Sequence, residues 1–262
     1  MLPPNKVLTA FKERDVAYGT FVQINSPENC EVAARSGLDF VIVDMEHGSF
    51  GIDSCVNLIR AVEVGGAAPF VRVPESSRTT VLKVLDAGAA GIIVPNVESA
   101  AQLQEVIAAT RYAPRGTRGA CPCVRSTGHG ILDWDAAVQW AEKNVMVIAL
   151  VETKAGVDNF EEIVSVEGLS GVGVGQFDLS MSLGYAGQHK HPDVIRKQRE
   201  LNQLALAKGV EVMGAIFDVD PQAVRASVDH WRTQGARFLA LTGDRFVLAD
   251  AYRSLATTVG LR

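Results

Sequence analysis

The chain has 262 residues, 47% of them apolar and 21% charged, with a net charge of −5. That is enough chain for one soluble domain with a large core, and the acidic balance argues against nucleic acid, which rewards clustered Lys and Arg. No apolar run nears the ~20 residues that cross a bilayer, and the N-terminus leads into a polar amphipathic stretch and not a secretory leader, so a cytoplasmic protein with no membrane partner is expected.

Strand-like and helix-like segments alternate along the chain. Residues 18–23 predict a short strand, and Ser26 with Pro27 opens a helix over 27–36. Residues 39–44 predict a buried strand whose β-branched run stops in Asp44-Met45-Glu46-His47. A helix over 53–64 closes at Gly65-Gly66, and a strand over 69–73 carries Arg72. A helix over 77–87, a strand over 91–95 and a helix over 99–110 follow.

Residues 111–132 form a long irregular stretch rich in Gly, Pro, Arg and Ser, and loops this long are usually functional. His129 lies within it as a candidate lid residue, and acceptor specificity is assigned to this loop and to the one after Ser180. Cys121-Pro122-Cys123 is spaced more tightly than zinc ligands and reads as reduced loop cysteines. A helix over 134–143, a strand over 145–152 ending in Glu152, and a helix over 154–163 come next.

The strand over 171–176 runs into Phe177 and Asp178, and a second long loop contains a solvated His189-Lys190-His191. The chain then predicts a helix over 192–208, a strand over 211–216, and a helix over 221–234 in which His230 and Trp231 fit a helix packed against the barrel. A strand over 238–242 and a helix over 245–259 end it. Leu241-Thr242-Gly243-Asp244 stands where many barrels bind phosphate, but lacks a Gly-rich cradle.

Eight strand–helix units with no composition break predict an α/β fold, a single (β/α)₈ TIM barrel spanning 1–262. A doubly wound open sheet is the alternative, weakened because no Gly-x-Gly-x-x-Gly follows the first strand. In a barrel the carboxyl ends of the strands share one mouth, which would gather Asp44, Glu46, His47, Arg72, Glu152 and Asp178. Two carboxylates on adjacent strands suit a hard divalent cation, Arg72 suits a substrate carboxylate, and His47 suits proton transfer. The pattern points to a metal-dependent enzyme.

At these residues the chain resembles the HpcH/HpaI family of class II, metal-dependent pyruvate aldolases. The resemblance rests on Asp44-Met45-Glu46-His47, Val71-Arg72-Val73-Pro74, Leu85-Asp86-Ala87-Gly88-Ala89, the stretch from Arg111 to Gly119, Val151-Glu152-Thr153, and Asp178-Leu179-Ser180 with Leu183-Gly184-Tyr185-Ala186-Gly187. It implies Glu152 and Asp178 as metal ligands, for Mg²⁺ or Mn²⁺ with Co²⁺ or Zn²⁺ as alternatives. It implies Arg72 as the group that holds pyruvate and its enolate, and His47 as the acid/base, oriented by Asp44. Asp86 would reach that histidine across a subunit interface, and the N–H groups of Phe177 and Asp178 would bind the substrate carboxylate.

The implied reaction cleaves a 4-hydroxy-2-oxo acid to pyruvate and an aldehyde, with no Schiff-base lysine. The implied assembly is a hexamer, a trimer of dimers with exchanged C-terminal helices. The chain departs from the family at Leu150, where Gln is common, and at Gln176-Phe177, where Pro-Ala is common. Leu150 is two residues from Glu152 and so belongs on the same face of the strand, as a substrate-side residue. A citrate-synthase-like enzyme or oxaloacetate decarboxylase of the same superfamily, and a non-catalytic 2-oxo-acid binding protein, stand as alternatives.

Overall fold

The computed structural model describes residues 4–261. Met1, Leu2 and Pro3, part of the N-terminus read above, lie outside the described residues, as does Arg262. In order the chain runs α1 (Lys6–Arg14), β1 (Ala17–Val22), α2 (Pro27–Arg35), β2 (Phe40–Asp44), α3 (Ile52–Val64), β3 (Ala68–Arg72), α4 (Arg78–Asp86), β4 (Gly91–Val94) and α5 (Ala100–Thr110). It continues with a 3₁₀ turn (Arg125–Gly130), α6 (Trp134–Asn144), β5 (Met146–Val151), α7 (Lys154–Asp158), α8 (Phe160–Val164), β6 (Gly171–Val174) and α9 (Gln176–Ser182). The last elements are α10 (Pro192–Ala207), β7 (Glu211–Ile216), α11 (Pro221–Thr233), β8 (Phe238–Gly243) and α12 (Asp244–Thr258).

All eight strands pair in parallel in sequence order, and β8 closes on β1. The fold is therefore the expected barrel and not an open sheet. Short polar side chains set many helix starts: Ser26, Ser77 and Ser99 each accept an N–H three residues on, satisfying a donor the helix leaves unpaired.

Alternation along the strands separates two cores. Val41, Val43, Val71, Ile92, Val147 and Val172 face the helices. Phe40, Ile42, Phe70, Ile148, Leu150, Met213 and Phe238 fill the barrel interior. Phe40 stacks on Phe238 at 4.0 Å between centroids, and Phe70 meets Phe238 edge-on at 5.1 Å. Glycines admit these rings: a Cβ on Gly19 would lie 2.2 Å from Phe40 Cδ2 and 2.4 Å from its carbonyl oxygen. Beneath the rings α1 buries Val7 and Ala10 against the same core.

Four expectations change. The polar N-terminal stretch is helix α1, since Asn5 caps it by accepting the Val7 N–H. The helix over 154–163 is two helices divided at Asn159, whose side chain donates to the Glu98 carbonyl. The sixth strand stops at Val174, and the loop after it opens as α9. Finally, residues 111–132 follow a helix, so within this subunit they lie at the amino ends of the strands. His129 and Arg125 line a second cavity there with Ala68 and Ala90, far from the mouth. Neither a lid role for His129 nor an acceptor-contacting role for this loop is open to the subunit's own site.

Candidate active site at the carboxyl ends of the strands

The parallel register places Asp44, the last residue of β2, beside Arg72, the last of β3. Arg72 donates from Nε and Nη2 to the two Asp44 oxygens at 2.8 and 2.6 Å, a planar two-point pairing that Lys cannot form. Asp44 is fully buried and also accepts from Gln23 Nε2 at 2.7 Å and from the backbone N–H groups of Glu46 and His47. Burial pushes its carboxyl up, but the Arg72 fork, Gln23 and the His47 N–H outweigh that and hold it below the usual carboxylate range. The Asp44 carboxylate thus meets His47 at its main-chain N–H and not at its ring, while both its oxygens bind Arg72.

The third guanidinium nitrogen, Nη1, stands 3.2 Å from Glu46 Oε2, and the Phe21 ring lies 5.2 Å beneath the guanidinium. Glu46 Oε2 is buried with no aligned hydrogen bond among the described residues. Burial raises the Glu46 carboxyl. The His47 ring is mostly exposed, with Nε2 3.8 Å from Glu46 Oε2.

Glu152 follows β5 and is 6% exposed. Its Oε1 accepts the Asn96 N–H at 3.0 Å, while Oε2 lies over Gly175, where a Cβ would approach within 2.3 Å. Asp178 sits in the first turn of α9, next to Phe177, and the first-turn N–H groups of this helix have no carbonyl partner within it. Burial raises the Glu152 carboxyl, and Asp178 and Glu46 add to that shift. A buried carboxylate held by one N–H, its other oxygen undonated beside a second carboxylate, fits a site for a hard cation. Among the described residues no three His, Cys, Asp or Glu side chains converge into a cage. A two-carboxylate site leaves its remaining positions to water and substrate oxygens, as Mg²⁺ and Mn²⁺ accept.

Arg72, Leu150, Glu152, Phe177 and Asp178 line one cavity of about 420 Å³, within the range of small-molecule sites. No lysine lines it. Asp86 is elsewhere: it ends α4 at the opposite end of the barrel, paired with Arg118 at 2.9 Å. It could reach a His47 only in another copy of the chain.

Gln23 and Asn96, which the sequence gives no sign of, and Asp244, named above only as a phosphate position, complete the site. Gln23, at the end of the first predicted strand, anchors Asp44, and the Asn96 N–H anchors Glu152. Asp244 accepts from the N–H groups of Gln23, Ile24 and Arg245 and from Asn29 Nδ2, stapling β8 to the loop after β1. A carboxylate therefore occupies the position after β8 where a phosphate would sit. His191, read as solvated, caps α10 and stacks on Tyr185 at 4.0 Å.

Comparison with known proteins agrees with this geometry. The family model described as HpcH/HpaI aldolase/citrate lyase matches residues 17–251. A 5-keto-4-deoxy-D-glucarate aldolase from Shigella dysenteriae serotype 1 is 31% identical over 97% of this chain and 96% of its own length. An HpcH/HpaI aldolase/citrate lyase family protein from Burkholderia cenocepacia superposes with a TM-score of 0.88 at 28% identity, over 97% of this chain and 99% of that one. Citrate synthase SbnG superposes with a TM-score of 0.84 at 31% identity, over 98% of this chain and 96% of that one. With a barrel closed in sequence order and a mouth built from Arg72, Glu152 and Asp178, the chain belongs to the HpcH/HpaI aldolase/citrate lyase family.

Proposed function

We propose that the protein is a class II aldolase that reversibly cleaves a 4-hydroxy-2-oxo acid to pyruvate, or a related 2-oxo acid, and an aldehyde. The observation that carries this reading is the meeting of the Arg72 fork with the Glu152/Asp178 pair in one cavity without lysine. Cleavage breaks the C3–C4 bond: the C4 hydroxyl gives up its proton, the bond's electron pair becomes an enolate, and C3 is then protonated. Arg72 places fixed positive charge where the enolate oxygen develops, and Asp44 keeps its plane from turning. His47, exposed at the rim beside Glu46, takes and returns the hydroxyl proton. A divalent cation held by Glu152 and Asp178 would supply Lewis-acid stabilisation of the same negative charge.

Three further features support parts of this reading. The four cysteines are unpaired, which suits the cytoplasm. Among the described residues no helix is long and apolar enough to cross a membrane. Helix α12 is exposed from Arg245 to Leu255 and carries Leu248, Tyr252 and Leu255 at helical spacing, an apolar stripe that suits a hexamer with exchanged C-terminal helices. In that assembly Asp86 would approach a neighbour's histidine.

A second reading runs the same enolate in the joining direction, as a synthase, and the likeness to citrate synthase SbnG favours keeping it. Exchange of the pyruvate methyl protons with deuterated water, followed by NMR without any aldehyde, tests what the two readings share. Exchange is expected, with loss in EDTA and recovery with Mg²⁺ or Mn²⁺. Full exchange after exhaustive chelation, or a lysine adduct trapped by borohydride, would overturn the metal-dependent mechanism. Cleavage of a panel of 4-hydroxy-2-oxo acids with alkyl and with polar tails, set against condensation of pyruvate with oxaloacetate, then separates lyase from synthase.

A further inference from the structure

The cavity has two chemically distinct sides. Arg72, Glu152 and Asp178, at or after the ends of β3, β5 and β6, hold its fixed charges, and the His189 ring lines the same side, 6.4 Å from the Phe177 ring. The side formed by β7, β8 and the segments after them presents Met213, Ala215, Phe217 and Phe246 together with Leu150 of β5. None of these side chains carries a hydrogen-bonding oxygen or nitrogen. Gln176 also lines the cavity, and its amide is engaged by α10, donating to Gln198 Oε1 at 2.6 Å.

Backbone choices keep this side open and apolar. On Gly173 a Cβ would lie 2.8 Å from Leu150 Cδ2 and 3.5 Å from Met213 Cβ, so glycine lets both side chains turn into the barrel. Behind β7, Gly214 admits the Trp231 ring, which closes the wall. At the rim the Phe217 and Phe246 rings stand 6.0 Å apart, tilted by 52°, and both are more than half exposed. Exposed rings flanking an apolar recess invite an apolar occupant.

We propose that this lobe holds the side chain of the aldehyde partner, and that the enzyme takes alkyl or aryl aldehydes in preference to hydroxylated or carboxylated ones. The proposal rests on the enolate reading above, which puts the 2-oxo acid at the charged side and leaves the lobe to the other fragment. A hydroxyl placed against Leu150, Met213, Ala215, Phe217 and Phe246 gives up water and finds no side-chain donor or acceptor among them, whereas each methylene gains by leaving water.

The test is a homologous series in the synthesis direction. With pyruvate saturating, kcat/KM is measured for propanal, butanal, pentanal and hexanal, and for glycolaldehyde and glyoxylate. Values are expected to rise about 4-fold per methylene until the lobe is filled, with both polar aldehydes below propanal. Leu150→Gln and Phe217→Ser are each expected to flatten the series. A flat series, or a preference for glycolaldehyde or glyoxylate, measured on an enzyme that does exchange pyruvate protons, would overturn the lobe and leave the enolate reading standing. Absence of exchange in the presence of Mn²⁺ would overturn both.

Discussion

On the proposed reading Arg72 is the residue on which the chemistry turns, and its surroundings support that role. Burial disfavours its charge, yet Asp44, Glu46 and Glu152 together outweigh burial and raise its affinity for the proton. The guanidinium is thus charged and fixed before substrate arrives, the condition under which such groups lower a barrier most. Arg72→Lys keeps the charge but loses the two-point grip of Asp44. We expect kcat to fall by on the order of 10²-fold, with KM also raised, as for removal of an oxyanion donor. Steady-state kinetics of the variant checks this, and a near-wild-type kcat would reduce Arg72 to a structural ion pair.

At the scale of elements, the β-branched runs of β2, β4 and β5 and the apolar segments spaced between helices made the barrel legible, because a strand buried on both faces has little choice of residues. The charges that interrupt those runs marked the mouth. Other features were less legible. The partner of Asp44 depends on the register of β2 with β3, which brings together residues 28 apart in sequence. Helix α9 escaped notice because Gln-Phe-Asp-Leu-Ser-Met-Ser is too short to show a period. The long segment after α5 was given a role at the mouth on length alone, although a segment leading from helix to strand reaches the amino ends. The interior glycines, by contrast, become interpretable only with the rings in place. Gly19→Ala sets a Cβ against the Phe40 ring and carbonyl. A loss of about 1–3 kcal/mol or more is expected, measured by urea denaturation. Wild-type stability would mean that β1 and β2 part without cost.

For the molecule as a whole, the plug formed by Phe40, Phe70 and Phe238 above α1 seals the amino end of the barrel. One opening must therefore serve both fragments. The charged side is floored by the buried Glu152 and the half-buried Arg72, with the exposed Asp178 at its edge, while the apolar lobe reaches the exposed rings at the rim. On the proposed reading, a 2-oxo acid gripped by Arg72 and Glu152 lies deeper than an aldehyde whose side chain reaches those rings. Traffic is consequently last in, first out: in the cleavage direction the aldehyde departs before the 2-oxo acid. Pyruvate should act as a competitive product inhibitor against the 4-hydroxy-2-oxo acid, and the aldehyde as a noncompetitive one. Competitive inhibition by both products would mean random release, and a second way out of the barrel that the aromatic plug does not allow.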